Sequence, residues 1–213
     1  MNSPLNIPLN TTPEHLARLE ELQTAFAEVC TALGPLVQQT RCWNRVTLHH
    51  LAYHSLRERF PKMGSQMVCN AIYSVSRTCR IVFQSPGSPF NVSANPDRPL
   101  PVVQFMPNAP VYFDRHTLSI KGEKLSMYTL DGRMSFQIVL DEAGRARFQH
   151  EKLRDIVLSR TPQGYQLSFC FSSAEEKEKK LKGQEAEMPE YVIVLSSPPV
   201  QNSTFPFPQS AAA

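Results

Sequence analysis

The chain has 213 residues, 41% of them hydrophobic and 9% aromatic, enough to bury a core in one large domain or two small ones. Its net charge of +3 and isoelectric point near 8.6 are mildly basic, which permits a nucleic-acid partner without requiring one. No apolar run approaches the roughly 20 residues of a membrane helix, and MNSPLNIPLNTT lacks the basic start and apolar stretch of a secretion signal, so a cytoplasmic protein is expected, with nucleoid association allowed.

In chain order, residues 12–33 predict a first helix. Thr12 can cap it, Pro13 suits the first helical position, and Glu14 favours the positive end of the dipole. Leu16, Leu19, Phe26, Val29 and Leu33 recur at helical spacing, and Gly34-Pro35 is expected to end it. Its outer face is acidic (Glu14, Glu20, Glu21, Glu28), which should keep it away from phosphates. A second helix is expected from about Leu48, capped by Thr47, to Phe60, where Pro61 stops it. A third is expected from Ser65 to about Phe83, with apolar positions at Met67, Val68, Ala71, Ile72, Val75, Cys79 and Val82.

From residue 86 the period changes. The breaker-rich SPGSPFNVSANPDRPLP is followed by alternating runs: VVQFM, PVYFDR, TLSI, KLSMYTL, RMSFQIVL, RDIVLSR and YQLSFCFS. Asp131-Gly132 is a strong hairpin signal, and Pro162-Gln163-Gly164 is another turn. Asp141-Glu142 read as flanking a glycine loop. A charged segment, AEEKEKKLKGQEAEMPE, reads as a solvated helix or linker, YVIVLS as a last strand, and the Pro/Ser/Ala tail as disordered. The expected class is therefore α+β: an N-terminal helical bundle at 12–85 and an antiparallel, OB-like β-barrel at 98–172. Residues 1–11 would add a strand to that barrel, and 173–213 would form the linker, last strand and tail.

The residues that carry chemistry are few. His50 and His54 stand at i and i+4, as some zinc ligands do, but no H-E-x-x-H pattern or third ligand accompanies them, so surface or packing histidines are the better reading. The five cysteines, Cys30, Cys42, Cys69, Cys79 and Cys170, form no C-x-x-C pair. No G-x-S-x-G elbow, P-loop or G-x-G-x-x-G is present, and the carboxylates are scattered. Neither an enzymatic role nor a metal or other cofactor is expected.

Nucleic-acid binding has more behind it. Between Arg57 and Arg80 the charged residues are Arg57, Arg59, Lys62, Arg77 and Arg80 against Glu58 alone, a balance of +4 over 24 residues. On the third helix Gln66, Asn70, Ser74 and Arg77 fall at i, i+4, i+8 and i+11, a polar stripe opposite the apolar one. Glutamine and asparagine can pair with adenine, and arginine with phosphate or guanine, although such a stripe can equally be the wet face of an amphipathic helix. In the β part, Arg115 to Arg160 holds nine basic and six acidic residues interleaved with Tyr112, Phe113, Tyr128, Phe136 and Phe148. Exposed aromatics on a basic barrel can stack bases, but most of these read as core.

These motifs resemble the OrfB/TnpB family of transposon-encoded RNA-guided nucleases, related to the compact type V CRISPR effectors. The family pattern L-x-x-x-x-Y-x-x-L-R, then S-Q-x-x-x-x-A-x-x-x-V, is met by Leu48, Tyr53, Leu56, Arg57, Ser65, Gln66, Ala71 and Val75. TLSIKGEKLSMYTLDGRMSFQIVL resembles its barrel segment with a T-L-x-G-R hairpin, and RDIVLSRTPQGYQLSFCFS the hairpin that follows. The resemblance spans residues 12–172 and implies a helical recognition lobe beside a wedge-type barrel, together holding a guide RNA scaffold and reading a short motif in double-stranded DNA. The residues it points to are Tyr53, Arg57, Arg59, Lys62, Gln66, Asn70, Arg77, Arg80, Lys121, Lys124 and Arg133, with Gln66 and Asn70 on the motif. The family's next strand carries the first metal-binding Asp of a RuvC-like nuclease, whereas Val192 to Ser197 hold no carboxylate. The expectation is a nuclease-deficient RNA-binding protein. The alternatives are a structural subunit that docks a separately encoded nuclease or effector, and a decayed transposon fragment.

Overall fold

In the computed structural model, which describes residues 3–94, 96–172 and 187–195, strand β1 (Leu5–Pro8) precedes four helices. Helix α1 (Pro13–Ala32) begins as its sequence requires: Thr12 accepts from the His15 backbone while His15 reaches back to the Thr12 N–H, and Pro13 takes the first turn. Leu19, Leu22, Phe26, Val29 and Cys30 on its inner face have no exposed surface, and each large apolar side chain there contributes about 1.5–3 kcal/mol of burial.

Gly34-Pro35 does not simply end the helical run. It opens a short helix α2 (Gly34–Thr40), because proline needs no backbone donor in a first turn. Glycine is required here: a Cβ on Gly34 would lie 2.5 Å from the Val103 carbonyl oxygen of the adjoining strand. Arg41 ends α2 in the left-handed conformation, and its guanidinium donates to the carbonyls of Pro96 and Arg98, tying down the proline-rich connector.

Helix α3 (Arg45–Arg59) starts earlier than Leu48. The cap is Asn44, whose side chain accepts from Val46 and Thr47, so Thr47 lies inside the first turn. Helix α4 (Ser65–Gln84) has Gly64, not Ser65, at its N-cap. It packs on α1 and α3 and on strand β3 (Val111–Phe113), so it is enclosed on several sides. That central position explains why Asn70, Ser74, Ser76 and Thr78 are buried along with the apolar row.

The remaining strands are β2 (Val102–Phe105), β4 (Leu118–Lys121), β5 (Lys124–Thr129), β6 (Gly132–Gln137), β7 (Lys152–Thr161), β8 (Gly164–Ser172) and β9 (Val192–Leu195). All pairings are antiparallel, in three separate sheets: β1-β8-β7-β3, β2-β9, and the meander β4-β5-β6. The class is α+β, and no closed barrel runs through the described strands. Both turn signals hold: Thr129 pairs with Gly132 (φ 90°), and Thr161 with Gly164 (φ 125°), conformations that suit glycine. Residues 1–11 were expected to supply a strand, and β1 pairs with β8; the expected YVIVLS strand is β9, paired with β2. The expected glycine loop after Asp141 is instead helix α5 (Glu142–His150), capped by the Asp141 carboxylate on the Gly144 N–H. The expected charged linker falls largely, and the tail wholly, outside the described residues.

A register shift between Leu153 and Asp155 interrupts the β7–β8 ladder. This bulge breaks the in–out alternation, so Asp155 and Ile156 are both buried in succession. It turns a carboxylate inward against α4.

A candidate nucleic-acid interface between helices and turns

The polar residues of α4 do not form a wet stripe. Gln66 donates through Nε2 to Asp114 Oδ2 at 2.5 Å, and Asn70 through Nδ2 to Thr117 Oγ1 at 3.4 Å. Asn70 is 5% exposed and Ser74 1%. The expectation that Asn70 offers its amide to a base is corrected: the amide faces the 114–117 turn, because α4 is covered by the β part on that side.

Asp114 organises that turn. Its Oδ1 accepts from the backbone N–H groups of His116 and Thr117 and from the Thr117 hydroxyl, while Oδ2 takes Gln66. Arg133 on β6 donates to the His116 carbonyl and lies over the Tyr128 ring, 4.2 Å from its centroid. Gln66, the 114–117 turn and Arg133 are thus brought together from three separate parts of the chain.

Farther along α4, Tyr73 donates to Asp155 Oδ1 at 2.7 Å and Arg77 meets Oδ2 at 3.4 Å. Burial raises the Tyr73 pKa, and its bond to the Asp155 carboxylate raises it further. Tyr112, packed edge-on against Tyr73, is also pushed up by burial. Arg77 therefore serves as the partner of a buried carboxylate, with 45% of its side chain still exposed. Arg57 likewise bonds inward, to the Met63 carbonyl.

Of the other expected contacts, Tyr53 is half-buried, and Arg59, Lys62, Arg80, Lys121, Lys124 and Arg133 are exposed. Among the described residues none of these cations forms an ion pair. Lys121 and Lys124 face each other at the tip of the β4–β5 hairpin, apart from the Arg133 end. Of the interleaved aromatics, Tyr112, Phe113 and Phe136 are core, Phe148 is partly buried, and Tyr128 is 41% exposed.

Arg45 is not singled out by the sequence, and His49 reads there only within a cluster with His50 and His54 weighed as metal ligands. On α3, Arg45, His49, Tyr53 and Arg57 follow one another at i+4, and His49 stacks on Tyr53 with ring centroids 4.7 Å apart and planes 19° from parallel. Arg45 lies over the Tyr73 ring at 5.3 Å. Starting the helix at Leu48 left Arg45 outside it; reading Asn44 as the cap would have placed Arg45 one turn before His49.

No group of three or more His, Cys, Asp or Glu among the described residues is placed to hold a metal ion. No described helix is long and apolar enough to cross a membrane. No protein-family model matches the chain, and no curated protein matches it.

Proposed function

We propose that the protein is a nucleic-acid binder similar to the recognition and wedge regions of OrfB/TnpB proteins. In this reading it holds a guide or scaffold RNA and reads a short motif in DNA without cutting it. The observation that carries the reading is the set of exposed cations Arg59, Lys62, Arg80, Lys121, Lys124 and Arg133, which form no ion pair among the described residues. Such cations gain binding free energy by releasing counterions from a phosphate backbone. The stacked His49–Tyr53 pair and the Gln66 amide add groups that recognise bases. The three antiparallel sheets take the place of the family's OB-like wedge barrel in this reading. Strand β9 carries no carboxylate, which supports binding over two-metal hydrolysis in this reading.

Purified protein should carry nucleic acid, visible as excess ultraviolet absorbance, and should retain a small-RNA pool at low salt. The logarithm of its affinity should fall linearly with the logarithm of salt concentration. Absorbance of clean protein, with no retention of RNA or DNA at low salt, would overturn the proposal.

A second reading, a structural subunit that docks a separately encoded nuclease, is favoured by β9. Ile193 and Leu195 are 48% and 39% exposed, and among the described residues β9 pairs with β2 alone. Such an edge can accept a further strand. Recovery of a nuclease in a pull-down, lost in Ile193→Lys and Leu195→Lys, would favour this reading over the first.

A further inference from the structure

Between α3 and α4 lies an open cleft of about 400 Å³ lined by Arg45, Val46, His49, Gln66, Cys69 and Ile72. Its walls are chemically distinct. Val46, 63% exposed, supplies apolar surface, with the buried Ile72 at the floor. The His49 ring is held in place by its stack on Tyr53. Gln66 gives one amide N–H to Asp114, which leaves Oε1 and a second N–H without partners among the described residues. The exposed Arg45 guanidinium has no ion pair among them either. Burial raises the pKa of Cys69, so its thiol stays neutral and does not repel an anion.

We infer that this cleft takes one unpaired adenine nucleotide, with the base against His49 and Val46, its edge on the Gln66 amide, and the adjoining phosphate on Arg45. The volume falls within the range of small-ligand sites. A free acceptor beside a free donor matches the adenine N6–H and N7 pair. Stacking on a ring already fixed by a neighbour needs little further ordering. The inference rests on the nucleic-acid reading above and narrows it, since a base inside a paired helix could not enter a cleft between two helices.

The test compares duplexes with a single bulged adenine, the same duplexes with an abasic residue in the bulge, and fully paired controls, each as RNA and as DNA. Fluorescence anisotropy measures affinity, and 2-aminopurine in the bulge reports stacking. The bulged adenine should bind about 5-fold to 150-fold more tightly than the abasic site. His49→Ala should erase that difference, whereas His49→Phe should keep it. Gln66→Ala should remove the preference for adenine over other bulged bases. The RNA and DNA arms tell which backbone supplies the nucleotide. Equal affinity for adenine and abasic bulges in the unaltered protein, with duplex binding intact, overturns the cleft assignment alone. Absence of binding to every ligand overturns it together with the broader reading. If His49→Ala does not fold, the abasic comparison in the unaltered protein decides.

Discussion

The hydroxyl of Tyr73 on α4 donates a 2.7 Å hydrogen bond to the carboxylate of Asp155, 82 residues later on β7. Arg77, one helical turn beyond Tyr73, meets the other carboxylate oxygen. This contact pins the helical part to the sheet through a buried acid. Asp155→Ala should destabilise the fold by about 1.5–3 kcal/mol, because it leaves the half-buried Tyr73 hydroxyl without its acceptor and removes the charged partner of Arg77. Tyr73→Phe should cost less, since Asp155 keeps Arg77. A double-mutant cycle by urea denaturation should give a coupling of about 1 kcal/mol. Strict additivity would show that the contact does not stabilise the native state.

Asn70 and the exposed cations should separate folding from binding. Asn70→Ala removes a buried bond to Thr117 and should lower stability by about 1 kcal/mol. Arg59→Ala and Lys62→Ala should change stability by less than about 0.5 kcal/mol. In nucleic-acid binding the order should reverse: each lost cation that touches a phosphate reduces the salt slope by about 1. Thermal melts alongside salt titrations give both readouts.

Gly34→Ala tests the approach of α2 to β2. The added Cβ would meet the Val103 oxygen at 2.5 Å and the Val102 side chain at 3.0 Å. Backbone must move to admit it, so a loss of about 1–3 kcal/mol is expected, despite alanine's better helix propensity. A rise in melting temperature would show that the two elements can separate freely.

Stability should fall in alkali. Cys30 and Cys79 are 0% and 1% exposed, and burial pushes both thiols up, Cys79 to about 12. In the unfolded chain such thiols titrate near ~8.5. Above that pH the unfolded state releases protons that the folded state retains. The stabilisation is therefore whole below about pH 8.5 and is lost as pH rises, by up to about 1.4 kcal/mol per pH unit for each thiol. Urea denaturation between about pH 7.5 and pH 10 measures the slope, and Cys79→Ala should reduce it by one thiol's share. A flat profile would contradict the burial of these groups.

The local signals in this chain decided its elements. Thr12-Pro13 and the apolar row from Leu16 to Leu33 were enough for α1, and the glycines at 132 and 164 were enough for two hairpins, because capping and positive φ act within a few residues. The neighbour of each face was not legible. A stripe of Gln66, Asn70, Ser74 and Arg77 has the same period whether water or protein covers it, and only tertiary packing, of the 114–117 turn on Asn70 and of α1 with Cys30 on Ser74, buried those two. Asp155 was equally hidden, since an alternating strand pattern gives no warning of a bulge that rotates one residue to the other face. The His49–Tyr53 stack was within reach of the sequence, two aromatic rings at i+4 on one helix, but the cleft beside it was not. It lies between α3 and α4, lined by Arg45, Val46 and His49 of one helix and Gln66, Cys69 and Ile72 of the other, and how two helices pack is not encoded in the local pattern of either.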